Sequence, residues 1–520
     1  MASINEKTAA GTATKNDTAS ESADFVQPLD APVVALDEAV NILQAEHGQN
    51  SWDADEERLL RWKIDLRLFP LILLSFALQY YDKSMLAQAA VFGLRTDLNL
   101  VGTDCKSPPS SLTTHTLSSA LLYVGFLAGA YPAALLAQKF AIERVTGILV
   151  FIWGACLILT VVCKNFAGLA TQRVFLGLLE GGISPIFMLV IGSWYTKSEQ
   201  ALRAGLLWSI SGYAAFVSPF VNYGIGHING KLTSWKYMYL LAGSITMVWA
   251  VLVYFFLPPD PIRARGFTSR EKYVAVARIR TNNSGVHNRY WKRAQVVEAL
   301  TDVKFWVMFW ILLLSSIPNG CFSTMTTIII ESFGFNSLDT LLLTSPTGFV
   351  VGTTELIISI LGSYTKRYRT TLMLICQIPV LVSGLMLWLL PRSEKGPLLF
   401  AIYLLPAYGG TICLCFALNL ANCAGYTKRT VYSAGAFIAY CLGNIAGPLS
   451  YRAQDAPDYT PAFILLVVTT AITSALIVTY GWLCRRENKR RDASGVQEAF
   501  DHAFEDDRTD KLNPQFRYTY

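Results

Sequence analysis

Residues 167–193 read AGLATQRVFLGLLEGGISPIFMLVIGS. The run is long enough for a helix to cross a hydrocarbon core about 30 Å thick, and its ionisable side chains are Arg173 and Glu180. An unpaired charge at that depth costs roughly 3 kcal/mol or more, so such residues face a bundle interior or a wet path and take partners there. Asp82 and Lys83 stand in the same position inside the apolar run 66–88. Four charges in two such runs point to a solute or proton route between helices.

The whole chain agrees. Of its 520 residues 52% are hydrophobic and only 15% charged, with mean hydropathy +0.37, too apolar for an ordinary soluble protein. Apolar runs lie near 66–88, 117–137, 145–163, 167–193, 204–225, 235–257, 305–330, 341–362, 370–390, 397–421, 431–450 and 461–484. They are continuous in Leu, Ile, Val, Phe and Ala and lack the alternation of a barrel strand, so they are read as helices. The expected fold is all-α: twelve transmembrane helices in two six-helix bundles.

Basic residues set the orientation. Arg58, Arg61, Lys63 and Arg67, then Lys139 and Arg144, Lys197 and Arg203, Lys366, Arg367 and Arg369, Lys428 and Arg429, and the cluster Arg485–Arg491 fall on one side. The positive-inside rule makes that side cytosolic, with both termini inside, and the net charge of +6 reflects topology rather than nucleic-acid binding. The expected organisation is a disordered cytosolic tail over 1–65, a six-helix bundle over 66–257, a basic cytosolic linker over 258–304, a second bundle over 305–484 and a cytosolic tail over 485–520. In the linker, Thr268-Ser269-Arg270-Glu271 fits a capping box opening a short surface helix; its basic residues are read as solvated, orientation-setting charge, with contact to anionic lipid as the lesser alternative. The sequons at Asn16 and Asn282 fall inside and are expected to stay unmodified. The first apolar run follows some sixty polar residues, so no cleavable signal peptide is expected. Trp194, Tyr195, Trp235, Tyr237, Trp306 and Trp482 near span ends suit interfacial anchoring.

Several chemistries find no support. The ten cysteines are scattered without a CxxC pair and are expected to be packing residues. His47, His115, His227, His287 and His502 form no metal-ligating pattern. GxxxxGK[ST] and GxSxG are absent from the sequence, which argues against an ATP-driven pump and an embedded serine hydrolase. No metal, cofactor or enzymatic activity is expected.

The order and spacing of several segments resemble the major facilitator superfamily, and within it the anion:cation symporter branch of fungal allantoate-permease-like proteins. The carriers are Gln79–Lys83, Arg173–Gly182, Trp194-Tyr195 with Ala201–Arg203, Ile317–Gly320, Gly425–Thr430, Tyr440–Pro448 and Asp455–Tyr459. The resemblance implies an alternating-access carrier moving a small organic anion with protons, the proton gradient being the driving force, in the plasma membrane and as a monomer. Two departures stand out: Lys83 replaces the usual arginine, giving a point charge in place of a rigid fork, and Thr365 replaces an acidic residue. Residues 103–116 are longer than the usual first external loop.

Helical rise places Asp82 and Lys83 about 21 Å above the inner boundary and Arg173 about 10 Å below the outer one, so the depths coincide. Arg173 and Glu180, seven residues apart, return to about the same helix face. Lys83 and Arg173 are therefore expected to bind the anionic substrate, and Asp82 and Glu180 to exchange protons: desolvation favours the neutral acid, neighbouring cations the carboxylate. The alternative is a bundle-stabilising Asp82–Arg173 pair. Asn319 and Asn444 are expected to contact substrate from the second half or to bond one another across helices. Glu355 is expected to meet a second-half cation or to stay hydrated near the cytosol, and Lys197, Glu199 and Arg203 to act as a gate of salt bridges or as plain orienting charge. Competing functions are export of an acidic metabolite and, more remotely, nutrient sensing without transport.

Overall fold

A computed structural model of the protein describes residues 52–98, 110–228, 230–280, 292–365, 367–455, 458–495 and 509–520. The sequons, Lys366, and residues 103–109 of the long external loop lie outside the described residues. Among those described, every regular element is a helix. In the first half these are α1 (Ala54–Ala89), α2 (Ser110–Lys139), α3 (Ile142–Leu159), α4 (Phe166–Glu180), α5 (Ile183–Trp194), α6 (Lys197–Gly226) and α7 (Ser234–Phe256). Between the halves lie α8 (Ser269–Arg280) and α9 (Arg293–Leu300). The second half holds α10 (Val303–Ser332), α11 (Ser337–Tyr364), α12 (Arg369–Leu389), α13 (Lys395–Leu404), α14 (Tyr408–Ala421), α15 (Tyr426–Leu449) and α16 (Thr460–Ala493).

Eleven described helical stretches are long and apolar enough to cross a membrane. The twelfth span is α15, whose 24 residues include Lys428, Arg429 and Asn444 and are less apolar. Two spans are built in two pieces. Gly181 and Gly182 separate α4 from α5, and a 3₁₀ turn at Leu405–Ala407, containing Pro406, separates α13 from α14; these are the fourth and tenth spans, equivalent places in the two halves. Helix α1 begins earlier than its hydropathy suggests, at Ala54 and not near residue 66. The Asp53 side chain caps it, and Asp55, Glu56 and Glu57 occupy its first turn, where they favour the helix dipole.

The packing repeats after six spans. Helix α3 lies against α7 as α12 lies against α16, α2 against α4 as α11 against α14, and α1 against α6 as α10 against α15. The halves meet where α6 runs along α11, α2 along α15 and α1 along α10. Lipid-embedded helices gain little from apolar burial alone, so small residues that let backbones approach set these contacts. A methyl group placed on Gly129 of α2 would run into the Leu178 backbone of α4, and one on Gly212 of α6 into the Gly352 backbone of α11.

At the end of the molecule carrying the start of α1 and the end of α16, here the basic end, ion pairs tie the elements. Arg203 of α6 donates to Asp65 of α1 at 2.8 Å, and Tyr195 donates to the same carboxylate at 2.6 Å. Glu199 accepts from Arg278 of α8 at 3.0 Å and lies 3.4 Å from Arg61. Helix α8 shows both capping-box bonds, Thr268 N–H to Glu271 and Glu271 N–H to the Thr268 hydroxyl. It is docked onto the first half: Lys63 donates to Glu271 at 2.6 Å, Arg270 to Glu56 at 2.9 Å, and Val274 and Ala275 are buried. Its arginines 270 and 278 thus turn to protein acids and are not simply solvated. In the second half Lys428 is buried among Asp510, Glu298 and Asp302 at 2.7, 2.9 and 3.4 Å. Residues 509–520 close over this end: Arg491 donates to the carbonyls of Asp510 and Phe516, and the Arg369 N–H to that of Tyr520.

The anchoring expectation needs correcting for three aromatics. Trp194, Tyr195 and Trp235 are buried, because each serves the interior: Trp194 packs on Phe267, Tyr195 binds Asp65, and Trp235 donates to Asp97 at 2.8 Å. Trp306 and Trp482 are exposed on the helix surface, as anchors require. All nine described cysteines are free.

Two outcomes follow from this packing. Gly129→Val is expected to lower the unfolding free energy by about 1–3 kcal/mol, the usual penalty of overpacking, as read by denaturant melts in detergent. Partial burial pushes the Glu271 carboxyl up, but Lys63 and Thr268 outweigh it and hold it below its ordinary value. A depressed acid stabilises the fold above its unfolded value and loses that contribution as pH falls through the folded one. The melting-temperature gap between wild type and Glu271→Gln is therefore expected to shrink between about pH 5 and pH 3, where glutamates titrate.

Candidate functional site

Where α1, α2 and α4 of the first half meet α10 of the second, a cavity is lined by Lys83, Ser119, Tyr123, Arg173, Ser323 and Thr324. It measures about 20 Å³, room for a water molecule and not for an organic anion, so a solute enters only when the halves part. Aromatic rings cross between the halves beside it: Phe126 stacks on Phe437, Trp208 on Phe416, and Tyr123 meets Tyr440 edge-on.

Behind the wall the charges are dry: Arg173 is 1% exposed, and Asp82 and Glu180 are 0%. Arg173 Nη1 lies 3.9 Å from Asp82 Oδ1, and its Nη2 donates to the Tyr239 hydroxyl at 2.5 Å. Trp153 Nε1 donates to the other Asp82 oxygen at 2.7 Å. Three groups are left over, since Asp82 Oδ1, Arg173 Nε and both Glu180 oxygens are buried without hydrogen-bond partners. Glu180 ends α4, and the carbonyl freed by the break accepts from Gln79 of α1 at 3.1 Å. Its carboxyl is an electrostatic neighbour of Asp82, Lys83 and Arg173.

Lys83 differs from its neighbours. Its ammonium sits 4.5 Å from the centroid of the Phe126 ring and, among the described residues, forms no ion pair or hydrogen bond. Buried or half-buried cations normally have an acidic partner; this one faces the cavity instead.

The site residues expected from the sequence thus divide into three groups in the fold. Lys83 and Arg173 share the cavity wall. Asp82 and Glu180 are fully buried, Asp82 against Trp153 of α3, and neither lines the cavity that helix spacing suggested they share. Asn319 and Asn444 are bonded to one another, Asn319 Nδ2 donating to Asn444 Oδ1 at 2.8 Å, while Asn444 Nδ2 donates to the Tyr440 carbonyl at 2.8 Å. These bonds make Asn444 a link from α10 to α15, the interhelical alternative expected from the sequence. Glu355 of α11 is 6% exposed, and among the described residues no cation pairs with it. Neither expectation for it holds, as it lies nine residues, about 13 Å, from the end of α11. Glu199 and Arg203 are paired with Arg278, Arg61 and Asp65 as described above; the Lys197 side chain lies outside the described residues. Sequence reasoning passed over Trp153 and Tyr239. A tryptophan in mid-span was the available signal, since a buried indole N–H takes an acceptor.

A family model described as Major Facilitator Superfamily matches residues 72–448. The chain belongs to that superfamily of membrane transporters. The allantoate permease of Saccharomyces cerevisiae is 31% identical over 503 residues, 93% of this chain and 90% of the permease. The thiamine pathway transporter THI73 of the same yeast is 32% identical over 463 residues, 88% of this chain and 86% of that protein. The MFS-type transporter cnsL of Penicillium expansum is 31% identical, with 90% and 89% covered. In fold, the chain is similar to a bacterial homologue of the human lysosomal transporter Spinster in an inward-facing, unoccupied conformation, with TM-score 0.57, 13% identity, and 83% of this chain and 98% of that one covered.

Tyr239→Phe and Trp153→Phe each strip a donor or acceptor from a buried charge. Each is expected to destabilise the protein by about 1.5–3 kcal/mol, the range for hydrogen bonds to charged groups, measured by denaturant unfolding in detergent.

Proposed function

We propose that this transporter carries a small organic anion, a carboxylate, together with protons. The observation that carries the reading is Lys83: a cation at the junction of the halves that forms no ion pair or hydrogen bond with a described residue, beside the Arg173 guanidinium and the hydroxyls of Ser119, Tyr123, Ser323 and Thr324. Two cations on the wall between the halves suit an oxygen-rich anion held while one half rocks against the other. The ureido carboxylate allantoate is the first solute to try, because the allantoate permease is among the relatives.

Proton coupling follows from charge balance. Asp82 and Glu180 together offset Lys83 and Arg173 when both carboxyls are ionised, so an arriving carboxylate adds an uncompensated negative charge to a dry site. Taking up a proton at Glu180, whose oxygens have no hydrogen-bond partner, removes it. The proton gradient then drives accumulation. We further assign the basic end to the cytosol, by the positive-inside rule, and the protein to the plasma membrane as a monomer in contact with lipid. Import is the preferred direction and export the alternative.

The test is allantoate-driven proton uptake in proteoliposomes. Lys83→Ala and Arg173→Ala are each expected to weaken allantoate binding about ten- to hundredfold, the equivalent of about 1.5–3 kcal/mol for a charge-assisted hydrogen bond. Glu180→Gln is expected to leave allantoate exchange running and to lower the number of protons moved per allantoate. Unchanged coupling in Glu180→Gln removes Glu180 from the mechanism.

A further inference from the structure

Glu355 is a charged residue at membrane depth that the site above does not use. It lies on α11 against α14, just past the break at Leu405–Ala407, where a methyl group on Gly409 would come within 2.8 Å of its Oε1. Glycine at that position is what admits the carboxyl between the helices. Its Oε2 is buried without a hydrogen-bond partner. The titratable groups facing it are Tyr80 of α1, Tyr408 and Cys413 of α14 and Tyr440 of α15. None of these is a cation.

The tyrosines lead back to the cavity. Tyr123, on the cavity wall, lies within electrostatic reach of Tyr80, Tyr408 and Tyr440, and its ring meets Tyr440 with centroids 6.3 Å apart. Four hydroxyl-bearing rings from α1, α2, α14 and α15, two from each half, therefore gather in the region of the cavity beside Lys83 and the carboxyl on α11. Such rings come apart when the halves separate. Burying an ionised carboxylate without a cation is strongly unfavourable, and a proton removes the charge.

We infer that Glu355 is a second proton-carrying carboxyl, placed in the other half from Asp82 and Glu180 and set beside tyrosines drawn from both halves. It gains one proton while the cavity is open to one side and releases one to water when the halves have exchanged positions, with no change in any covalent bond to carbon. This rests on the proton-coupled reading above and adds a proton site to it. The ratio of protons to solute is then set by both halves.

The first measurement needs no solute. Full-length protein in proteoliposomes is titrated by infrared difference spectroscopy. Wild type is expected to show a carboxylic-acid C=O band that Glu355→Gln lacks and that Glu355→Asp, still a carboxyl, shifts. A band untouched by both substitutions across the titration overturns the inference, whatever the transported solute, and the Glu355→Asp comparison decides alone where Glu355→Gln does not fold. The second measurement is the proton-to-allantoate ratio. Glu355→Gln is expected to lower it at least twofold while allantoate counterflow persists; an unchanged ratio, or loss of counterflow in protein that still binds allantoate, overturns the inference and leaves Lys83 and Arg173 in place. A wild type that moves allantoate without protons overturns the coupled reading and this one with it. A wild type inert to allantoate rejects that solute, and the infrared result alone then decides.

Discussion

The contact between Asp82 and Arg173 organises the first half of the protein. Two opposite charges with almost no solvent exposure stand 3.9 Å apart, too far for a hydrogen bond and close enough for strong attraction in a medium of low dielectric. Desolvating them is tolerable because other helices complete the shell: α3 gives the Trp153 N–H and α7 the Tyr239 hydroxyl. One polar cluster thus fixes the mutual rotation of α1, α3, α4 and α7. Separation of either charge from its partners leaves a buried ion, which is why such pairs are costly to break even where they add little net stability.

That arrangement leaves Lys83, next in the chain to Asp82, turned to the other side of α1. A helix rotates about 100° per residue, so the acid faces the first bundle while the lysine faces the junction of the two. The same neighbouring pair therefore reaches both the interior of the first bundle and the cavity between the halves. The cavity at Lys83 is water-sized, and aromatic contacts join the halves. Motion must come at the seams where α6 meets α11 and α2 meets α15, which are made of glycines and aromatic rings more than of salt bridges. Close small-residue contacts hold two rigid halves together without locking them.

The basic end is held differently. Arg203, Arg278, Lys428 and Arg491 bind acids and carbonyls of loops, of α8 and of residues 509–520. The cluster around Glu199 joins the first half to α8 of the linker, and that around Lys428 joins the second half to α9, Asp302 and residues 509–520. Each half is thus braced on its own side, consistent with bodies that rock as units. The basic residues read from sequence as orientation signals accordingly have structural partners as well.

From the sequence alone came the helical class, the spans, the orientation expectation and the identity of the four membrane-depth charges near the cavity, because hydropathy and charge add up along a local stretch of chain and the bilayer selects for them. The start of α1 and the modest hydropathy of α15 show the limit of that reading, since capping and buried polar contacts extend or sustain helices that apolar content does not mark. Partnership was decided only in three dimensions. Asp82 with Trp153, Arg173 with Tyr239, Asn319 with Asn444, and Glu355 alone against Gly409 join positions far apart in the chain. Which face of a helix meets which neighbour depends on where small residues let backbones close together, and that is a property of the packed bundle rather than of any single span.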